Sequence, residues 1–300
     1  MTTTPPEKWW MTAPKVCIPL LPADPITGPE KGLNTAWEGD VLPIDGGEPV
    51  YCAFKHVNHP GKLAVEMACA LVAAVLGNKV PKPCLVRVEP GQLPALPQSA
   101  FKGPTALLFG STYVGKNGFF EQLAQASDAT LDNSVWQHFC SDAPMAAKGA
   151  SLDELLANWD RHSRNMRFDG RAWWLIDHDN ALASAVGKDA AALDASFKAH
   201  KNHIADQLGK RRSTDHQMEN AARLTAGHHQ TVMSLAARAA QWTDPDPLVA
   251  NVWQQTAPLI ELLSRRLPML QALIGARIGA TQPTELQWST PPQPPTPPTS

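Results

Sequence analysis

The stretch that decides the fold runs from Asn158 to Asp177 and reads N-W-D-R-H-S-R-N-M-R-F-D-G-R-A-W-W-L-I-D. Near its centre, Asp169 and Gly170 lie between two segments that contain apolar residues. An Asp-Gly pair in that position is typical of a two-residue hairpin turn. We therefore predict a β-hairpin in which Phe168 pairs with Arg171.

The same register places three polar side chains at one end of the hairpin. Asn165 is expected opposite Trp174, so that it leaves the hairpin where Asp177 also leaves it. Asp160 precedes Asn165 in a segment too polar to continue a helix core, and we expect it in a loop at that end. Phosphoryl transfer uses such a set, because one carboxylate orients or deprotonates the acceptor and hard oxygen ligands hold Mg²⁺. The simpler alternative is that these residues only cap turns.

The pattern Asp-Arg-His-x-x-Asn from Asp160 to Asn165, followed by a hairpin and Asp177, resembles the catalytic and metal-binding loops of the protein-kinase-like superfamily. The resemblance is to the form found in phosphoinositide-type kinases and HipA-like kinases. It implies Asp160 as catalytic base and Asn165 and Asp177 as metal ligands. Asp179 is a second candidate for the last role, although Asp177 follows the strand directly. His178-Asp179 stands where Phe-Gly follows in protein kinases, which puts switching by that phenylalanine in doubt.

Two polar residues follow the candidate base directly. The resemblance suggests that Arg161 and His162 brace the loop through hydrogen bonds. The alternative is that both side chains lie exposed.

The upstream half offers a lysine and a glutamate that can pair. Residues 49–57 read as a strand with Lys55 as the one charge on an apolar face. Residues 62–77 carry apolar side chains at helical spacing, end at Gly77 and place Glu66 on the inward face. Because a buried charge is costly unless it is paired, we expect Lys55 and Glu66 to pair. The alternatives are a solvated edge-strand lysine and a partly exposed glutamate.

Kinases hold nucleotide phosphates with a strand lysine that is fixed by a helix glutamate. The segments around Lys55 and Glu66, with Val80-Pro81-Lys82-Pro83 after them, resemble the N-terminal lobe of HipA-like kinases. The resemblance implies ATP and Mg²⁺ as cofactors. The apolar strand that ends at Phe109 leads into Gly110, and by position we expect these two residues to line the adenine pocket at a hinge between lobes. Residues 28–34 are the candidate for a loop over the phosphates.

Composition sets the remaining bounds. At 300 residues the chain has room for a full two-lobed enzyme. Its net charge of -2 gives no electrostatic reason to expect nucleic-acid binding. The five cysteines form no Cys-x-x-Cys pair and are predicted to be reduced core residues. The sequence shows neither a signal-peptide pattern nor an apolar run long enough to span a bilayer, so we expect a cytoplasmic protein with no membrane partner.

The predicted fold class is α+β, in a bilobal protein-kinase-like arrangement with a small β-rich lobe and a larger, mostly helical lobe. We expect an N-terminal extension over 1–13, the N-lobe over 14–110, the C-lobe over 111–281 and a proline-rich disordered tail over 282–300. The predicted helices of the C-lobe cover 131–140, 151–158, 188–208, 217–242 and 247–278.

The sequence thus predicts an ATP- and Mg²⁺-dependent kinase-like phosphotransferase that acts on a hydroxyl acceptor. Protein Ser/Thr and small-molecule hydroxyls both remain open as acceptors, because kinase-like folds serve both. One alternative is a catalytically weak or inactive kinase fold that binds nucleotide or a partner. Another is an enzyme that transfers a nucleotidyl group.

Overall fold

The computed structural model of the chain describes residues 8–27, 34–115, 128–182, 190, 194–196, 201–209 and 212–279. Some of the sequence predictions fall elsewhere. The candidate phosphate-covering loop over 28–34 lies outside these ranges except for Asn34. Nine of the 21 residues of the helix predicted over 188–208 also lie outside them, and so does the whole tail over 282–300.

The first half of the chain is mainly a sheet of six strands. These are β1 (Lys15–Pro19), β2 (Asp24–Pro25), β3 (Ala36–Pro43), β4 (Val50–Lys55), β5 (Pro83–Val88) and β6 (Ala106–Thr112). Their order is β1-β5-β6-β4-β3-β2, and β1 also pairs with β3. This extra pairing closes β1, β5, β6, β4 and β3 into a five-stranded barrel, which the sequence did not predict. The parallel pair is β1 with β5.

Alternate residues of the strands fill the barrel, as the two-residue period of a strand requires. In β4, Cys52 and Phe54 are buried, whereas Tyr51, Ala53 and Lys55 face outward and are more exposed. The interior is closed by large apolar side chains, and the rings of Trp37 and Phe54 stack there with centroids 6.3 Å apart. The outward face of β4 is therefore the one that can contribute to a site.

Helix α1 (Pro60–Val75) follows β4 and packs on the outside of the barrel. His59 caps its start, since His59 Nδ1 accepts a hydrogen bond from the backbone N–H of Gly61. From Leu63 to Val75 every residue is buried, so the helix is covered on all sides. The helix ends as predicted, with Gly77 in the left-handed region at φ 71°.

The second half of the chain is helical apart from one hairpin. Its strands are β7 (Met166–Phe168) and β8 (Trp173–Leu175). Its helices are α2 (Asp128–Ser141), α3 (Ala143–Leu156), α4 (His203–Leu208), α5 (Arg212–Ala226), α6 (His229–Ala239), α7 (Pro247–Arg266) and α8 (Leu270–Ile278). Helix α7 packs against α1, and one hydrophobic cluster runs from the outer face of the barrel through α1 into the helices. The protein is thus a mixed α+β structure.

All five predicted helices have different bounds in the structure. The helix predicted over 131–140 covers Asp128–Ser141, and in the described part of 188–208 the helix begins only at His203. The helix expected to start at Ser151 starts at Ala143, where Asp142 Oδ1 accepts a hydrogen bond from the N–H of Met145. The segment 217–242 breaks at Gly227 into α5 and α6, and 247–278 is interrupted by a 3₁₀ turn around Pro268. Glycine and proline weaken helix interiors, which is the physical reason for both breaks.

The central hairpin forms, but its loop has four residues instead of two. Phe168 pairs with Trp173, so the prediction that it pairs with Arg171 was wrong. The carboxylate of Asp169 accepts hydrogen bonds from the backbone N–H of Arg171 and of Ala172, both at 2.8 Å. These bonds stabilise the longer loop because they satisfy backbone donors that the turn leaves unpaired.

The changed register keeps the predicted geometry at the open end of the hairpin. Lengthening the loop by two residues leaves each side chain on its expected face, because the strand period is two. Asn165 now lies beside Ile176, whose N–H donates to the Asn165 carbonyl at 3.0 Å, and no longer opposite Trp174. Asp177 still follows directly at the same end.

The structure also bears on the cysteines and on membrane crossing. All five cysteines are free. Four of them are buried, as predicted for core residues, whereas Cys140 is half-buried. Within the ranges given above, none of the helices has the length and apolar character that a bilayer crossing requires.

Candidate active site

A cleft with a volume of about 300 Å³ opens between the outer face of the barrel, α1 and the loops that flank the hairpin. Six of the seven residues predicted for the site line it. They are Lys55, Glu66, Phe109, Asp160, Asn165 and Asp177. The structure therefore brings together residues that lie up to 122 positions apart in the sequence, as Lys55 and Asp177 do.

Lys55 lies at the end of β4 and contacts three carboxylates. It forms ion pairs with Glu66 and with Asp177, the latter at 2.6 Å between Nζ and Oδ1. Asp179 Oδ2 lies 3.8 Å from the same nitrogen. The expected pair of Lys55 with Glu66 is present, and the glutamate is completely buried. The alternatives of a solvated lysine and an exposed glutamate were wrong.

Charge and burial shift the pKa values of this cluster in opposite directions. Burial raises the pKa of Glu66 to about 7, despite the attraction of Lys55. Burial also raises the pKa of Asp179. For Asp177, burial acts upward too, but the ammonium group of Lys55 dominates and holds its pKa well below the ordinary value. The pKa of Lys55 is raised, because its three carboxylates outweigh burial. The cluster holds more negative than positive charge.

Glu66 also fixes the segment that follows β8. Its Oε2 accepts a hydrogen bond from the backbone N–H of His178 at 2.8 Å. Asp177 has a left-handed backbone with φ 57°, which is uncommon outside glycine but better tolerated by Asp than by most residues. The segment turns there, and both Asp177 and Asp179 face the cleft. A single helix residue thus holds the lysine and the aspartate segment together.

Asp160 and Asn165 are held by short-range bonds within their own loop. The N–H of Asp160 donates to Asn158 Oδ1 at 3.2 Å, and Asn165 Nδ2 donates to the Asp160 carbonyl at 3.0 Å. Asn165 is buried, whereas Asp160 is half-buried at the cleft wall. His162 also lines the cleft, and partial desolvation lowers the pKa of its imidazole. The residue is exposed, so the alternative of an exposed side chain holds for His162 and the expectation that it braces the loop was wrong.

Arg161 braces this loop from behind. It is completely buried and donates two hydrogen bonds to Asp153, at 3.0 and 2.9 Å. Its remaining donors reach the carbonyls of Asn165 at 2.9 Å and Ile176 at 2.7 Å. Because those carbonyls belong to the two halves of the site, one guanidinium group ties the loop to the end of β8. The expectation that Arg161 braces the loop is confirmed.

A second buried arginine fixes the helix that leads into the loop. Arg266 of α7 donates to the carbonyls of Glu154 and Leu155 at the end of α3, at 2.9 and 2.7 Å. Free carbonyls at a helix C-terminus attract cations. Burial lowers the pKa of Arg266 to about 10. The start of the loop is thereby anchored to the helical core.

The predicted hinge needs a correction. Gly110 lies inside β6, which continues to Thr112 and pairs with β4 and β5. A Cβ at Gly110 would come within 2.7 Å of Cys84 Sγ, so this residue faces the barrel interior and not the cleft. The cleft is instead lined by Phe109, by Ser111 and by the residues just after β6. Gly110 therefore does not line the cleft, in contrast to the prediction.

Sequence reasoning missed several polar residues that complete the site. Lys62 in the first turn of α1 reaches Asn180 and Asp179, and Asn34 Nδ2 donates to Asp179 Oδ2 at 2.8 Å. Asp153, the partner of Arg161, fits a helix start in the sequence pattern but lies near the end of α3. The one sequence signal for these residues is that a buried Arg needs a carboxylate partner, and Asp153 is a nearby upstream candidate.

The donor set of the cleft fits a hard cation bound together with phosphates. Asn165 and Asp177 supply the amide and carboxylate oxygens that Mg²⁺ accepts, and Mg²⁺ normally completes its shell with water and substrate phosphates. Among the side chains that the structure describes, no group of three or more His, Cys, Asp or Glu residues is arranged to hold a metal ion by itself. A metal here would therefore draw its remaining ligands from water and from the nucleotide phosphates.

A larger cavity, of about 660 Å³, lies between α6 and α7. It is lined mainly by alanines and tryptophans and contains none of the predicted site residues. Size alone would favour it as a binding site. The smaller cleft remains the better candidate, because it is where the charged and polar side chains converge.

No protein-family model matches this sequence, and no curated protein matches it. Among solved structures, the crystal structure of a Helicobacter pylori proinflammatory kinase, CtkA, is similar over 85% of this chain and 96% of that chain. The sequence identity is 10% and the TM-score is 0.45. A likeness of that extent assigns neither a family nor an activity to this chain. The similarity to HipA-like kinases therefore remains a resemblance of sequence motifs.

Proposed function

We propose that this protein is an ATP- and Mg²⁺-dependent phosphotransferase of the kinase-like type, acting on a hydroxyl acceptor. The observation that carries the proposal is the convergence in one cleft of Lys55 and Glu66 with Asp160, Asn165 and Asp177. Each of these residue types has a defined task in phosphoryl transfer. The chemistry moves the γ-phosphoryl group of ATP to the acceptor oxygen and leaves ADP, while the acceptor proton passes to a base.

Each side chain has one role in this proposal. Lys55, positioned by Glu66, contacts the nucleotide phosphates. Asn165 and Asp177 hold Mg²⁺, which would neutralise the charge of those phosphates. Asp160 orients the acceptor hydroxyl and takes its proton. The barrel with α1 would act as the nucleotide lobe and the helices as the acceptor lobe. Phe109 and the residues after β6 would lie beside the adenine ring of ATP.

The electrostatic state of the cleft supports this assignment. Three carboxylates face two ammonium groups, those of Lys55 and Lys62, so the fully ionised site has one negative charge more than positive. A surplus of buried negative charge is unfavourable until a further cation binds. A magnesium ion held at Asp177 would supply that cation.

The proposal is tested by titrating ATP into the protein with and without Mg²⁺, and by following the γ-phosphate of labelled ATP. Wild-type protein is expected to bind ATP more tightly with Mg²⁺ and to transfer the label to itself, to an added acceptor or to water. Asp160→Ala should retain binding and lose transfer, whereas Asp177→Ala should lose the Mg²⁺ dependence as well. Transfer at the wild-type rate in either variant would reject the assigned roles.

One observation favours a second candidate function, a kinase-fold module that does not turn over. Asp177, the proposed metal ligand, contacts Lys55 at 2.6 Å. If that contact persists when nucleotide binds, the carboxylate is not free for Mg²⁺. Such a module would bind ATP equally well with and without Mg²⁺ and would release no phosphate.

Transfer of a nucleotidyl group is separated by the mass of the product. A modified acceptor that gains the mass of a phosphate supports the proposal, and one that gains the mass of AMP contradicts it. The acceptor is left open between a protein Ser/Thr hydroxyl and a small molecule, because nothing in the cleft distinguishes them.

A further inference from the structure

Three side chains connect the first turn of α1 to the proposed catalytic carboxylate. Lys62 Nζ donates to Asn180 Oδ1 at 2.9 Å, and Asn180 Nδ2 donates to Asp160 Oδ2 at 2.7 Å. All three residues line the cleft. Asn180 follows the Asp177-His178-Asp179 segment directly, and no motif pointed to it in the sequence.

The chemistry of an amide explains why the Asn180 side chain has one favoured orientation between Lys62 and Asp160. An asparagine side chain has a donor end and an acceptor end, whereas an ammonium group can only donate and a carboxylate can only accept. The opposite orientation of Asn180 would place its NH₂ group against Lys62 and its oxygen against Asp160. Lys62 therefore fixes the orientation of the amide, and the amide then holds Asp160.

We infer that Asn180 is a positioning residue for the transfer step, set by Lys62 and acting through Asp160. This inference rests on the proposed function. A carboxylate that is held at one oxygen presents its other oxygen in a defined direction, and misplacement of a reacting group by about 1 Å can cost a hundredfold in rate. Asn180 contacts neither the metal nor the phosphates in this scheme.

The link also couples the two halves of the site. Helix α1 carries Lys62 in its first turn and Glu66 in the next, so the same helix holds Asn180 and the Lys55 pair. A shift of α1 would move the phosphate-binding lysine and the carboxylate of Asp160 together. The position of α1 thus affects the orientation of Asp160 through the hydrogen bonds of Asn180.

The test measures kcat for transfer of the γ-phosphate from labelled Mg·ATP, to the protein or to water, beside the Kd for ATP. Asn180→Ala is expected to lower kcat by about tenfold to a hundredfold and to leave the Kd nearly unchanged. Asn180→Asp keeps the size and the contact with Lys62 but cannot donate to Asp160, so it should lose at least as much. A purely structural role would not separate kcat from Kd in this way.

A double-substitution cycle tests the part played by Lys62. Lys62→Met should lower kcat in the wild-type background and cause no further loss in the Asn180→Ala background, because both changes remove the same link. Additive losses would mean that Lys62 acts by another route and would overturn its role. Asn220→Ala is the matched control, since Asn220 is an exposed amide on α5 with one side-chain bond, to Arg223; its kcat should equal that of wild type.

Each variant is first checked for an unchanged thermal unfolding midpoint, and Asn180→Asp replaces Asn180→Ala if the latter does not fold. If wild-type protein transfers no phosphate, or Asp160→Ala transfers it at the wild-type rate, the proposed function fails and this inference fails with it. If Asp160→Ala is inactive but both Asn180 variants keep the wild-type kcat, the proposed function stands and the positioning role alone is overturned.

Discussion

Two buried cations organise the two sides of the cleft, and they differ in the charge around them. Arg161 faces one carboxylate, that of Asp153, and its other donors are used by two backbone carbonyls. Lys55 faces three carboxylates, from Glu66, Asp177 and Asp179. One site is balanced, with all three arginine nitrogens hydrogen-bonded, and the other holds surplus negative charge.

The difference separates a structural ion pair from one that awaits a ligand. A buried arginine whose three nitrogens all have hydrogen-bond partners gains little from a further ion, and removing it strands a buried charge. Burial is the main reason why the pKa values of Glu66 and Asp179 are raised, and the neighbouring carboxylates add to it. A divalent cation would relieve the cost of this negative charge. The Arg161 cluster should therefore govern stability and the Lys55 cluster should govern binding.

The largest effect is expected from Arg161→Leu. The change removes a fully buried cation and leaves Asp153 without its partner in the core, so we expect a loss of about 3–5 kcal/mol in the free energy of unfolding. Urea denaturation measures it. Arg87→Ala is the control, because Arg87 forms a partly exposed pair with Asp246 at 3.4 Å and should cost less than about 1 kcal/mol. Equal losses in the two variants would contradict the structural role of Arg161.

The next effect is on activity and compares the two aspartates beside Lys55. Asp177→Asn should lower the rate of phosphotransfer at least about a hundredfold, because it removes the charge of a proposed metal ligand that helps to stabilise the transition state. Asp179→Asn should lower it less, since Asp179 is held by Asn34 and is the more buried of the two carboxylates. The rates with labelled Mg·ATP decide it. A larger loss for Asp179→Asn would move the metal-binding role to Asp179.

Local sequence rules predicted the pair of Lys55 with Glu66, whereas the resemblance to kinases implied that Asp177 belongs to the same site. Helical spacing placed Glu66 inward, strand alternation placed Lys55 on one face, and the hairpin placed Asp177 beside Asn165. The rules worked because periods of two and 3.6 residues fix side-chain directions independently of the rest of the fold. The length of the hairpin loop was wrong, yet the error was two residues and preserved those directions.

What the sequence did not predict depends on long-range pairing. Barrel closure requires β1 to pair with both β3 and β5, and no local pattern encodes it. The direction of Gly110 follows from its place inside β6, which periodicity alone could not extend beyond Phe109. The partnership of Lys62 with Asn180 joins residues 118 positions apart. Polar partners at such separations are set by tertiary packing. The sequence around each of these residues has the same pattern as an exposed surface segment.

A third effect concerns the pH dependence of stability. It tests the difference in charge between the Arg161 site and the Lys55 site. The pKa of Glu66 is raised from 4.5 to about 7, so the folded state keeps a proton that the unfolded state loses. Its contribution to stability is fully present below pH 4.5 and is lost as the pH rises through about 7. Asp179 acts in the same direction. His178, whose pKa is lowered, acts in the opposite direction, and Asp177 titrates below this window.

Comparison with Glu66→Gln isolates the glutamate from the other groups. Wild-type stability should fall, relative to the variant, by on the order of 2–3 kcal/mol between low and neutral pH. Urea titrations at a series of pH values measure the difference. Glu219→Gln, on the surface of α5, should leave the wild-type profile unchanged. Parallel profiles for wild type and Glu66→Gln would show that the buried glutamate does not titrate in this range.

The smallest effect is the stabilisation by Mg²⁺ alone, and it addresses the surplus charge most directly. A metal at ten times its Kd stabilises a folded protein by about 1.4 kcal/mol, which corresponds to a rise of roughly 2 °C in Tm for a chain of 300 residues. The rise should disappear in Asp177→Asn and persist in Arg87→Ala. NaCl at the same ionic strength is the control for screening. If NaCl produces the same rise, the carboxylates around Lys55 respond to bulk salt, and their surplus charge is not a binding site for a divalent cation.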